Sequence, residues 1–296
     1  MRNRRTDLAL EAHEMWQQSA GKTTQLPGVQ AREHLREGYT VTTVQVLDKQ
    51  GAQALGKPPG RYITLTLDGL HRREEGAFPR AARALAAELS PLLPADVENS
   101  PVLVVGLGNR AITPDAVGPL VHEHTLVTRH LLAQSPQQFE GFGCVAALAA
   151  GVLGTTGVES GELTASLCRT LSPRCVVAVD ALASRSVHRL CRTIQLSDTG
   201  IIPGSGVGNH RFALTRESLG VPVIAVGVPT VVDAATLAAD LLDTDDPPTL
   251  NQGSDLFVTP RDIDTQVRDL SKVIGYGINL ALHPGLSPED LDLLLS

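Results

Sequence analysis

Three short runs built almost wholly from Val, Ile, Leu, Ala and Cys constrain this chain most: residues 102–106 (VLVVG), 175–179 (CVVAV) and 221–226 (VPVIAV). A strand with no polar face has to be covered on both sides, which is the condition of inner strands in a helix-flanked sheet. Helical stretches lie between and around these runs: the Ala-rich 79–89, a segment from Asp115 to about Leu132, 233–242 and 261–282. Strands alternating with helices imply parallel pairing with right-handed crossovers. The expected fold is therefore α/β, a mostly parallel central sheet flanked by helices. Residues 40–47 (TVTTVQVL) and 61–67 (RYITLTL) read as extra N-terminal strands at an edge, joined through a Lys57-Pro58-Pro59-Gly60 turn, and 192–196 as a further strand. A helix over 5–18 has Thr6 or Asp7 to cap it, and 287–295 reads as a short capped helix.

Composition narrows the class of function. Aromatics are 3% of the 296 residues, so the core rests on Ala, Val and Leu rather than on rings. The net charge is −7 and the densest basic stretch is the short terminal 2–5, so no basic face exists to neutralise nucleic-acid phosphates. Cys144, Cys168, Cys175 and Cys191 form no CxxC pair and have no zinc-site spacing, which reads as buried thiols in a reducing compartment. No apolar core follows the N-terminal arginines, and the apolar stretch 144–153 is too short to span a bilayer. The chain is expected to be cytoplasmic, with no membrane and no direct nucleic-acid partner. Residues 243–255 (DTDDPPTLNQGSD) are polar and proline-rich, a surface loop or partly disordered insert.

Two aspartates stand where open α/β sheets hold their ligands, beyond the carboxyl ends of inner strands. Asp115 closes the loop after 102–106, which also contains Gly106, Gly108 and Asn109. Gly106, Gly108 and Ala111 fit G-x-G-x-x-A, but a dinucleotide site needs a helix from about Gly108. Pro114 would then fall inside that helix, at a cost of about 3 kcal/mol. Asp180 directly follows 175–179. Each acid alone reads equally well as the start of the next helix. Together, converging over one sheet edge, two carboxylates can share a proton, one activating water and the other donating to a leaving nitrogen. A third segment, 204–211 (GSGVGNHR), offers Gly206, Gly208 and Asn209 as backbone donors or as a plain surface connection. It lacks the G-x-S-x-G elbow of serine hydrolases.

The segments RTDLALEAHE, VVGLGNRAITPDAVGP, VVAVDALASRS, PGSGVGNHR, VPVIAVGVPTVVDAATL, FVTPRDID and KVIGYGINLALHP span nearly the whole chain in order. In them the chain resembles the germination proteases of spore-forming bacteria, a family of aspartic endopeptidases. The loop and acid GLGN…TPDAVGP also resembles the hydrogenase-maturation peptidases, which implies a related fold. The resemblance implies a peptidase of the forespore and spore core that degrades small acid-soluble spore proteins during germination. It implies a homotetramer, no cofactor and no metal, and catalytic acids at Asp115 and Asp180. It further implies a zymogen whose leader, residues 1–7, is removed by self-cleavage at the Asp7–Leu8 bond, leaving one peptidase domain over 8–296. The alternatives are a metal-guided maturation peptidase with ligands such as His188 or His210, and a non-catalytic ligand-binding α/β protein.

Overall fold

The three apolar runs are inner strands of one sheet, as their lack of a polar face requires. The computed structural model describes residues 6–20, 26–95, 100–204, 212–241 and 256–295. Its strands are β1 (Val29–Arg36), β2 (Tyr39–Val46), β3 (Gly60–Thr66), β4 (Val102–Leu107), β5 (Val145–Gly151), β6 (Cys175–Ser184), β7 (Thr193–Ser197), β8 (Val223–Asp233) and β9 (Phe257–Val258). The helices are α1 (Ala9–Ala20), α2 (Lys49–Leu55), α3 (Asp68–His71), α4 (Ala77–Leu89), α5 (Val117–Glu123), α6 (Arg129–Gln134), α7 (Leu153–Thr156), α8 (Ser160–Leu171), α9 (Arg216–Leu219), α10 (Ala234–Leu241), α11 (Ile263–Leu282) and α12 (Pro288–Leu294). The 243–255 insert and Gly206, Gly208 and Asn209 lie outside the described residues.

Among the described residues the sheet is nine-stranded, in the order β1-β2-β3-β7-β8-β6-β4-β5, with β9 beside β8. The α/β class stands, but the expectation of a mostly parallel sheet does not. Pairing is parallel only across β8-β6-β4-β5. β1, β2 and β3 form an antiparallel meander, β3 joins β7 antiparallel, and β7 joins β8 antiparallel. The reason is the return of the chain: β7 follows β6 through a short connection, with no helix long enough for a crossover, so it has to run back.

One face of the sheet is covered by α4, α5 and α11. Ile263, Val267, Leu270, Ile274 and Ile278 recur every three or four residues along α11 and join Val104, Val177, Val226 and Leu65 in the main core. On the other face α8 and α9 pack through Cys168 and Leu219 on Leu103, Val105, Val176 and Ala178. Beside them α1 lays Ala9 and Ala12 on Val44, Val46 and Tyr62. None of the four cysteines is in a disulfide; burial pushes the Cys175 and Cys191 thiols up to about 12, which fits a packing role. No described helix is long and apolar enough to cross a membrane.

Several elements depart from the sequence reading. The helix expected from Asp115 to about Leu132 is two helices, α5 and α6. Between them the buried Asn279 of α11 accepts from the Leu126 N–H at 2.9 Å and donates to the His124 carbonyl at 2.8 Å, so a side chain satisfies backbone that a helix would otherwise pair. β1 was unexpected because only Val29 of its eight residues is buried, leaving no alternation to read. β5, within the apolar 144–153, is an edge strand of small residues. α1 begins at Ala9 rather than Arg5, because residues 6–8 are held by other bonds described below.

Candidate active site

The carboxyl ends of the parallel strands β4, β6 and β8 open into a cavity of about 230 Å³. Asp115 and Asp180 both line it, so the two acids do converge on one cleft. Ile112, Leu182, Ile202 and Phe257 supply apolar walls.

Asp115 does not open a helix. It ends a 3₁₀ turn, Thr113–Asp115, that follows the β4 loop, as Pro114 requires. The Asn109 N–H donates to Asp115 Oδ2 at 2.8 Å, and the Thr230 hydroxyl on β8 donates to the Pro114 carbonyl at 2.7 Å. Gly108 has φ +106°, and a Cβ there would stand 2.1 Å from the Asp115 carbonyl oxygen. The loop and the acid close on each other only because that atom is missing. Gly106 serves the packing behind the loop. Its missing Cβ lets Gly118 of α5 pass, with the Gly118 oxygen 2.2 Å from where a Cβ would sit. Asn109 acts on the acid through its backbone, while its Oδ1 accepts from the Ala111 N–H at 3.0 Å.

Asp180 lies inside β6, not after it, since the strand runs on to Ser184. This removes the helix-cap reading. The residue is 5% exposed and its Oδ1 accepts from the Ala181 N–H at 2.9 Å. Beyond it the β6–β8 ladder is irregular between Leu182 and Ala183. Such irregularities re-aim a strand and are common beside sites.

Asp7, from the chain's start, lines the same cavity. Its N–H donates to the Ala183 carbonyl at 2.9 Å, and its Oδ2 accepts from the Ala183 N–H at 2.8 Å. Its own carbonyl oxygen accepts from Lys57 Nζ at 2.9 Å and from Gln195 Nε2 at 3.2 Å. Leu8 is fully buried, and its N–H donates to the Thr6 hydroxyl at 3.0 Å. Downstream, the Glu11 carboxylate, 2% exposed, accepts from the Arg185 N–H at 2.7 Å, from the Ser186 N–H at 3.0 Å and from the Thr6 hydroxyl, with Arg189 beside it. The stretch from Thr6 to Glu11 is thus anchored to β6, β7 and the turn after β6, with Asp7 in the cleft. Burial lowers the Lys57 ammonium from its usual range, while Asp7 and then Glu11 act to raise it.

Sequence reasoning missed Lys57, Gln195 and Thr230. Lys57 opens a Pro-Pro-Gly turn and looks like a turn residue; the one available signal for Gln195 was a lone amide in the strand TIQLS. His188 is exposed on a 3₁₀ turn, and His210 lies outside the described residues. Among the described residues no three His, Cys, Asp or Glu side chains gather so as to hold a metal ion.

An acid-lined cleft at the carboxyl side of parallel strands, with Asp7 held in it, is the kind of site that α/β proteins with open sheets carry. A family model described as germination protease matches residues 9–244, and the chain belongs to that family, whose activity is proteolysis in spore germination. It is 44% identical to a germination protease of Caldanaerobacter subterraneus, over 98% of both chains. It is 41% identical to one of Clostridium perfringens over the whole of both, and 37% identical to one of Bacillus cereus over 94% of this chain and 93% of that one.

Proposed function

We propose that this germination protease is an aspartic-type endopeptidase in which Asp115 and Asp180 are the catalytic pair. The observation that carries the reading is that both acids, Asp115 from the turn after β4 and Asp180 from within β6, line one cleft in which Asp7 is also held. Carboxylates that share a small cleft resist ionising together, so one keeps a proton. The ionised acid takes a proton from water as it adds to the peptide carbonyl, and the protonated acid donates to the leaving nitrogen. Positioned proton transfer of this kind contributes about 10²–10⁴-fold. Gly108 and the Asn109 N–H hold Asp115 in place, and Gly106 seats α5 behind it.

The proposal extends to processing and partners. Residues 1–7 are a leader cut off at Asp7–Leu8, and 8–296 is the peptidase. The anchoring of residues 6–11 supports this, because a bond meant for self-cleavage has to be presented to the acids. Small acid-soluble spore proteins are the substrates, with the 204–211 segment, including Gly206, Gly208 and Asn209, assisting their binding. The working state is a homotetramer in the forespore and spore core, without metal or cofactor. The parallel half-sheet β8-β6-β4-β5, with acids at its carboxyl ends, supports kinship with the hydrogenase-maturation peptidase fold.

Asp115→Asn and Asp180→Asn are each expected to stop appearance of a Leu8 terminus, read by N-terminal sequencing, while circular dichroism stays that of the parent. Trimming retained by either variant would remove that residue from the pair.

A further inference from the structure

Two side-chain donors converge on the Asp7 carbonyl oxygen and fill both of its acceptor positions. Lys57 Nζ lies 2.9 Å from it and Gln195 Nε2 3.2 Å. The two come from separate parts of the fold, the turn before β3 and the middle of β7. The Gln195 amide is oriented without ambiguity, because its Oε1 accepts from the Ala9 N–H at 2.8 Å, which leaves the NH₂ group facing Asp7. On its other side Asp7 is pinned to Ala183 through both its N–H and its carboxylate.

The sheet register links one of these donors, Gln195, to one of the proposed acids, Asp180. Gln195 of β7 stands opposite Gly227 of β8, and Gly227 opposite Asp180 of β6. Residues in one such row share a sheet face, here two strand spacings or about 10 Å apart at the backbone, with the Leu182 side chain filling the space over Gly227 between them. An ammonium kept in a buried setting costs free energy that a neutral carbonyl does not repay; an oxyanion would. The carboxylates that act on it are those of Asp7 and Glu11, which stand on opposite sides of the Asp7–Leu8 bond.

We propose that Lys57 and Gln195 are the oxyanion-binding residues for hydrolysis of the Asp7–Leu8 bond. The inference rests on the self-cleavage reading above. Water adds to the Asp7 carbonyl carbon and gives its proton to the ionised acid. The carbonyl oxygen becomes an oxyanion held by the Lys57 ammonium and the Gln195 amide. The intermediate collapses, the C–N bond breaks, and the Leu8 nitrogen leaves as an amine with a proton from the protonated acid. Asp7 ends as a free carboxylate.

The test follows self-trimming of the full-length chain by intact mass and N-terminal sequencing, beside its Asp180→Asn variant. Lys57→Met, which keeps the stem without the charge, is expected to slow trimming by about 10²–10³-fold at a temperature where it is folded, as loss of one oxyanion donor does elsewhere. Lys57→Arg should recover part of the rate, which a purely structural loss would not predict. Gln195→Glu keeps an oxygen for the Ala9 N–H and removes the donor, so it should slow trimming as well. It carries the test if Lys57→Met does not fold. Trimming at the parent rate in folded Lys57→Met or in Gln195→Glu overturns the inference and leaves the acid pair standing. Trimming retained in Asp180→Asn instead overturns the acid-pair reading beneath it.

Discussion

Gly108 shows how much of the site hangs on one absent atom. An alanine there has to adopt φ +106° and set its Cβ on the Asp115 carbonyl oxygen, so the loop has to move and the acid with it. Gly108→Ala is expected to lose about 1–3 kcal/mol of stability and, beyond that, at least about tenfold in peptide hydrolysis per folded molecule, since small misplacements of reacting groups are costly. Gly157→Ala is the control. Gly157 has φ +72° but nothing within 4 Å of an added Cβ, so it should cost strain alone and leave hydrolysis unchanged. Urea unfolding beside a peptide assay separates the two effects. That Asp115 and Asp180 would meet at one cleft was legible in the sequence, Asp180 because it directly follows an apolar run and Asp115 because it closes the loop after another. Lys57 and Gln195 were not, since a lysine before Pro-Pro-Gly and a glutamine in a strand are ordinary until pairing of distant strands brings them to one carbonyl.

At the level of elements, legibility followed burial. β4, β6 and β8 could be read because each is apolar along its run; β1 could not, because seven of its eight residues are exposed and its place is set by pairing with β2 and by the bonds of His34 and Arg36 to Glu88 of α4. The mistaken long helix after Asp115 has the same lesson from the other side. Its local pattern is helical, and the break is imposed from outside by Asn279, 0% exposed on α11. Asn279→Leu should therefore strand the Leu126 N–H and the His124 carbonyl without partners. At about 1–3 kcal/mol for each buried unpaired group, a loss of roughly 2–6 kcal/mol is expected by urea unfolding. Faster amide exchange confined first to 124–128 would locate it. An Asn279→Leu protein as stable as the parent would mean that the connection finds other partners.

At the scale of the whole molecule, part of the acid sensitivity lies in three histidines, of which His13 and His283 are buried and His124 half-buried. Burial lowers the pKa of His13, His124 and His283, the last to about 4, where its Nδ1 accepts from the Gly143 N–H. The unfolded chain takes up these protons near pH 6.5, before the fold does. The stabilisation is complete above pH 6.5 and falls as pH drops toward 4; for His283 the full difference is about 3 kcal/mol. Urea midpoints at pH 7 and pH 4.5 should show that decline, and His283→Gln should flatten it; an unchanged slope would take His283 out of the account. The strand order has a consequence for synthesis as well. β3 finds its inner neighbour only in β7, and β7 in β8, both made far later in the chain. On the ribosome the amino-terminal meander emerges with one flank unclaimed and has to be kept from mispairing until the central strands follow, so vectorial folding from the first residue is closed to this topology.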